Sequence, residues 1–90
     1  MARTARYHES PGRVTGSTPT PAQVGHVIRR RRESRDQMSQ EDLADAAGIS
    51  ANYLSGIELG QRNPTLVVLS ALASALEVSL SSLIADAERE

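Results

Sequence analysis

The sequence predicts an all-α protein, a compact bundle of five short helices that follows a flexible N-terminal arm. From residue 22 onward, apolar residues recur with the 3.6-residue period of a helix, and no stretch alternates with the period of two that marks a strand. These helical segments are separated by residues that end or begin helices, such as Gly48, Gly60 and Pro64. Short helices joined by short loops pack as one globule.

Residues 1–21 form the predicted arm, because they hold three of the four prolines and show no periodicity. The whole chain has a net charge of −1 and a pI of about 6.1, which is not the basic balance typical of a nucleic-acid binder. The arm is nevertheless positive, since it carries three arginines and one glutamate. It is either a disordered tail or a basic arm that contacts DNA phosphates or the minor groove.

The first predicted helix covers residues 22–35. One side of it holds three apolar residues followed by three arginines: Val24, Val27, Ile28, Arg31, Arg32 and Arg35. Arg29 and Arg30 point away from that side, so the run of four arginines is not a single basic patch.

Two helices with clear end signals follow. Ser39 and Asp42 form a capping box that starts a helix over 40–47, which Gly48 ends. Ser50 caps the next helix, predicted over 51–59.

A fourth helix over 65–76 and a fifth over 80–88 complete the predicted domain, residues 22–88. The residues predicted to line the core here are Leu66, Leu69, Leu72, Ala73, Leu76, Val78, Leu80, Leu83 and Ile84. The other side of the fourth helix is also apolar, which predicts a dimer interface. That face consists of Val67, Val68, Ala71 and Ala75.

The most informative unit is residues 40–59, two helices joined by a tight turn. Its fifth residue, Ala44, lies where the helices approach most closely, and its ninth, Gly48, reverses the chain. Its fifteenth and eighteenth residues, Leu54 and Ile57, seat the second helix on the core. This spacing is that of a helix-turn-helix, whose second helix enters the major groove of DNA.

With Leu54 and Ile57 inward, the opposite side of the third helix carries small or uncharged residues. A slim face suits a groove about 12 Å wide, and the amide of Asn52 can bond adenine N6 and N7. The predicted base contacts are Ala51, Asn52, Ser55 and Gly56. The predicted phosphate contacts are Gln40, Ser50, Tyr53, Arg62 and Asn63.

Residues 24–84 resemble the xenobiotic-response-element-like, Cro/C1-type helix-turn-helix family that includes phage repressors. The matching segments are VGHVIRRRRES, SQEDLADAAGIS, NYLSGIELGQRNPTL and LASALEVSLSSLI. The resemblance implies a five-helix, lambda-repressor-like fold that binds double-stranded DNA as a homodimer. It also implies a structural ion pair between Arg32 and Glu58. The segment YLSGIELGQRN is especially similar to controller proteins of restriction–modification systems.

The sequence departs from this family pattern in three places. Arg31 stands where the family usually has an apolar residue, so it must find a partner or reach solvent. The loop after the first helix is one residue longer than usual, which predicts a bulge at residues 36–38. Ala51 and Gly56 replace longer polar side chains at reading positions, so specificity is expected to depend also on Asn52, DNA shape or the arm.

The predicted function is therefore sequence-specific transcription regulation by a homodimer on a pseudo-palindromic operator. The alternative is an antitoxin or a transcription-machinery interaction protein that uses the same fold with a protein partner, for which residues 1–21 are the free segment. An enzyme is not expected, because the chain has no cysteine, two histidines and no metal or cofactor cluster. Without a signal peptide or a membrane-spanning run, a cytoplasmic, nucleoid-associated protein is expected.

Overall fold

The computed structural model describes residues 19–90, which form five helices and no strand, so the predicted all-α fold is confirmed. The helices are α1 Pro21–Glu33, α2 Gln40–Ala47, α3 Ala51–Glu58, α4 Leu66–Ala75 and α5 Leu80–Glu88. Residues 1–18 lie outside the described residues, and with them the predicted contacts of the arm with DNA or a protein partner.

Each helix begins after a hydroxyl side chain that accepts from the backbone N–H three residues later. These N-caps are Thr20, Ser39, Ser50, Thr65 and Ser79. Helix α1 starts one residue earlier than predicted, because Pro21 occupies its first turn and Gln23 completes a capping box with Thr20.

Helix α1 ends at Glu33, two residues earlier than predicted, because the chain turns sharply after it. Asp36 and Gln37 have φ values of +37° and +59°, the left-handed region that side chains other than glycine rarely adopt. This turn lies in residues 36–38, where the longer loop is expected to bulge. It is tied to the end of α4, since the guanidinium of Arg35 donates to the Leu76 carbonyl at 2.6 Å.

The core lies between the five helices, with α1 packed on α3 and α5, and α4 packed on α2 and α5. Its largest side chains are completely enclosed. They are Val27, Ile28, Leu43, Leu54, Ile57, Leu72, Leu76 and Leu83. Within residues 19–90 no single helix is long and apolar enough to cross a membrane, and α4 with α5 reach that length only as a pair bent by 103°.

The prediction of which residues of α4 face the core was partly wrong. Leu66, predicted in the core, is 67% exposed at the first residue of the helix. Val68 and Ala75, predicted on the dimer face, are half-buried and pack against the core. They lie one turn before and three residues after the buried Leu72, which puts them on the core side of the helix.

The acidic C-terminus of the chain pairs with the arginines of α1. Arg31 donates to Asp86, and Arg30 donates to Glu90 at 2.7 Å. Arg31, the charge at a position that is usually apolar, thus has a partner, and its side chain is 32% exposed. Its hydrogen bond holds the pKa of Asp86 below its usual value. These pairs direct two of the four consecutive arginines toward α5.

Acid should weaken the domain partly through Asp86. Its pKa is lower in the folded than in the unfolded chain, so its stabilising contribution is present above the unfolded pKa of about 4 and is lost as the pH falls through the folded pKa. We expect Asp86→Asn to flatten the fall in unfolding free energy from pH 5 downward. Urea unfolding of both proteins across this range measures it, and parallel curves would contradict the assignment.

Candidate nucleic-acid interface

Helices α2 and α3 are joined by the three residues 48–50, and local hydrogen bonds fix their angle. Gly48 has a φ of +74°, and the Ile49 amide donates back to the Ala44 carbonyl at 3.0 Å. Ser50 then caps α3 by accepting from the Tyr53 amide at 3.0 Å. Ala44 is 2% exposed, as expected for the closest point between the two helices.

Helix α3 packs on the core through its two predicted anchors and lies against a glycine of α1. The sequence pattern gave no sign of this glycine's role. Leu54 and Ile57 are both 0% exposed. A Cβ atom on Gly25 of α1 would lie 2.0 Å from the Ile57 carbonyl oxygen. Helix α1 therefore crosses the end of α3 at a distance that only glycine permits.

The opposite side of α3 carries three of the predicted base contacts, whereas the fourth, Ala51, packs against the core instead. Asn52 is exposed, while Ala51, Ser55 and Gly56 are half-buried. The side chains of Asn52 and Ser55 make no hydrogen bond with any other residue between 19 and 90, so their polar groups are available to a partner.

Arg62, from the loop after α3, lies across this same face. A Cβ atom on Gly56 would be 2.8 Å from Arg62 Cγ and 3.5 Å from its Nε. The sequence pattern predicts that Gly56 and Arg62 each contact DNA, but it does not indicate that they are in contact with each other. Contact between a helix residue and a loop residue depends on how the chain leaves the helix, which periodicity does not reveal.

Behind α3, the ion pair between Arg32 and Glu58 is present and nearly buried, at 9% and 7% exposure. Arg32 donates to both carboxylate oxygens, at 2.8 Å and 3.0 Å. Its remaining guanidinium nitrogen donates to the Met38 carbonyl at 2.9 Å. The hydrogen bond with Glu58 raises the pKa of Arg32 above its ordinary value, so the guanidinium stays charged.

Gln40, a predicted phosphate contact, takes part in this network. Its amide donates to Glu58 at 2.8 Å. A phosphate contact by Gln40 would therefore use the second hydrogen of the amide. The network joins the last turn of α1, the first residue of α2 and the last residue of α3.

The other predicted phosphate contacts surround α3. Ser50 and Asn63 are exposed, and Tyr53 is half-buried. The Ser50 hydroxyl accepts the capping hydrogen bond, which leaves its own hydrogen for a phosphate oxygen.

Charge on the described surface is largely neutralised by internal pairs. Six of the seven arginines in residues 19–90 form a salt bridge with a carboxylate: Arg29, Arg30, Arg31, Arg32, Arg35 and Arg89. Arg62 is the one arginine in that range that has no such partner. The described residues contain no group of histidines and carboxylates that could hold a metal ion.

Comparison with known proteins identifies the family. A family model described as helix-turn-helix matches residues 28–83, more than half of the chain. The chain belongs to this helix-turn-helix family. The Cro/C1-type resemblance read from the sequence is confirmed.

Relatives of this family member include control proteins and regulators. The control protein C.MunI of Mycoplasma sp. is 35% identical over 66 residues, which cover 73% of this chain and 89% of that protein. The transcriptional regulator ClgR of Mycobacterium tuberculosis is 41% identical over 64 residues, 71% of this chain and 56% of the regulator. The chain thus spans about half the length of that relative.

A solved structure has the same fold. The restriction-modification controller protein C.AhdI from Aeromonas hydrophila superposes with a TM-score of 0.67 and 36% identity, over 70% of this chain and 94% of that one. The predicted similarity to controller proteins is confirmed. This family member is a transcriptional regulator with a helix-turn-helix DNA-binding fold, and its relatives are not enzymes.

Proposed function

We propose that this regulator binds a pseudo-palindromic operator as a homodimer, with α3 in the major groove of each half-site. The observation that carries the proposal is the outward face of α3. The helix residues on it are small or uncharged, and they include an exposed Asn52 whose amide is not used within residues 19–90. A helix with large side chains is about 10–12 Å across, so a slim face allows close approach in a groove about 12 Å wide.

The residues of this face have distinct roles in the proposal. Asn52 accepts from adenine N6 and donates to N7, and the methyl group of Ala51 contacts a thymine methyl. Ser55 lies one turn after Ala51 and bonds a neighbouring base edge. Around the groove, phosphate oxygens accept hydrogen bonds from four of the predicted residues. These are Gln40, Ser50, Tyr53 and Asn63.

Dimerisation would bury apolar side chains that the described domain leaves exposed. Val67 is 78% exposed, and Leu66 and Leu59 are 67% and 61% exposed. Ala71, one turn after Val67, is half-buried. Leu66 and Val67 are adjacent at the start of α4, and neighbouring exposed apolar side chains of this size are typical of a protein interface. We therefore centre the dimer contact on Val67 and Ala71, because Val68 and Ala75, the other two predicted residues, pack against the core of their own domain.

The test is selection from a random duplex library with the purified full chain at about 0.15 M salt. A twofold dimer places its recognition helices about 34 Å apart. We expect an inverted repeat with half-sites about 10 bp apart, bound by two chains. Binding without an enriched sequence, or enrichment of a single site bound by one chain, would contradict the proposal.

Asn52→Ala tests the reading role of α3. We expect a loss of about 1–3 kcal/mol on the selected operator and a relaxed preference at one base position, because one bidentate contact is removed. Asn63→Ala is the matched control, since it removes the same amide from a predicted phosphate contact and should weaken all sequences alike. A uniform loss for Asn52→Ala as well would exclude a base contact there.

A further inference from the structure

We infer that Arg62 reads a guanine base in the major groove, and that Gly56 positions it by having no side chain. This inference rests on the proposed function, because it requires α3 to lie in the groove. It differs from the phosphate contact that the sequence predicts for Arg62.

The first observation is steric. Gly56 lies one helical turn after Asn52, on the side of α3 that faces the groove in the proposal. The space that a Cβ at position 56 would occupy is 2.8 Å from Arg62 Cγ, 3.7 Å from Cδ and 3.5 Å from Nε. The stem of Arg62 therefore covers the position from which a longer residue at 56 would reach a base.

The second observation is electrostatic. Arg62 is exposed, and it is the one arginine among residues 19–90 that forms no salt bridge there. Other arginines on this domain are paired with a carboxylate, including the neighbours on α1. The donors of the Arg62 guanidinium are not used within the domain, so they are available to acceptors on DNA.

The third observation is that the backbone leading into Arg62 is tied to α3 by hydrogen bonds. The Gln61 amide donates to the Gly56 carbonyl at 2.8 Å, and the Gly60 amide donates to the Ile57 carbonyl at 3.0 Å. Pro64 is buried on the other side of Arg62. The base of the Arg62 side chain is thus held against α3 before any ligand binds, which reduces the entropy lost on binding.

The chemistry of the groove selects the base. Guanine presents two acceptors there, O6 and N7, which match the parallel N–H groups of a guanidinium. Lysine keeps the charge but offers only a point donor, so it does not reproduce the planar pair of hydrogen bonds. A phosphate contact carries no sequence information, so the same exchange there would change the affinity for all sequences alike.

Three variants separate the roles. Arg62→Lys keeps the charge, Arg62→Ala removes it, and Gly56→Ala puts a methyl group where the Arg62 stem lies. Alanine is also the better helix former, so Gly56→Ala should leave the melting temperature unchanged or higher while it displaces Arg62. If Gly56 had only a structural role, Gly56→Ala would lower the base preference and the melting temperature together.

The experiment is parallel selection with the wild-type full chain and these variants, followed by affinity measurements on the selected operator and its single-base replacements over a range of salt. We expect the wild-type to select guanine at one position in each half-site. Arg62→Lys and Gly56→Ala should reduce that preference about tenfold or more and keep the other positions. Arg62→Lys should also keep the wild-type salt dependence, because the net charge is unchanged.

Two results would overturn the inference. One of them leaves the proposed function intact, and the other contradicts it as well. If the wild-type selects a motif that all three variants select unchanged, Arg62 contacts phosphate alone and α3 still reads the operator. If the wild-type itself selects no motif, the proposed function fails together with this inference.

Discussion

Replacing Gly25 with alanine is expected to remove a large part of the stability of this domain. The added Cβ would lie 2.0 Å from the Ile57 carbonyl oxygen and 3.0 Å from that of Glu58. Both neighbours are backbone atoms, so no rotamer change relieves the overlap, and α1 must move away from α3. That movement opens the core at two fully buried side chains, Ile28 and Ile57. We expect a loss of about 3 kcal/mol or more, out of the roughly 4–10 kcal/mol typical of a domain this size.

Urea unfolding followed by circular dichroism measures this loss, and Gly48→Ala is the matched control. Gly48 has a φ of +74°, but a Cβ there would meet no atom within 4 Å. That substitution should therefore cost only the left-handed backbone strain, about 1–2 kcal/mol. A Gly25→Ala protein as stable as Gly48→Ala would show that α1 and α3 are not in such close contact.

The helix-turn-helix unit was predictable because its signals are local. Ser39, Asp42 and Gly48 set the bounds of α2 within the unit itself, and Ser50 starts α3. Both helices begin where the sequence predicts. The end of α1 was not predictable in this way, because Asp36 and Gln37 adopt a positive φ that their residue types do not indicate.

Contacts between residues distant in sequence could not be predicted from the periodicity of apolar residues. The need for glycine at position 25 comes from carbonyl groups more than 30 residues later. The partner of Arg31 is Asp86, on the last helix. The contact between Gly56 and Arg62 depends on the path of a loop. In each case the residue type was visible, but its partner followed from packing.

The resemblance to the family supplied one such distant contact, the pair of Arg32 and Glu58. Composition alone gave no reason to join two residues 26 positions apart. Periodicity placed Arg32 on the buried side of α1, which raised the need for a partner. The pair lies where α1, α2 and α3 meet, since Gln40 also donates to Glu58.

Replacing Glu58 with glutamine is expected to destabilise the domain by about 3–5 kcal/mol, because the positive charge of Arg32 would remain buried without its counter-charge. The double variant Arg32→Met, Glu58→Leu should recover most of this loss, since apolar groups of similar volume can replace a buried pair. Urea unfolding of the wild type, of Arg32→Met, of Glu58→Leu and of the double variant completes the cycle, and Glu58→Gln is measured beside them.

The exposed pair Arg29 and Glu33 is the matched comparison, with side chains 57% and 54% exposed at a separation of 3.1 Å. Its disruption should cost at most about 0.5 kcal/mol, because solvent screens both charges. If Glu58→Gln cost no more than Glu33→Gln, burial of the Arg32 charge would not be what makes this pair necessary. If the double variant were as unstable as the single, the requirement would lie instead in the hydrogen bonds to Gln40 and Met38, which hold the ends of three helices around the recognition helix.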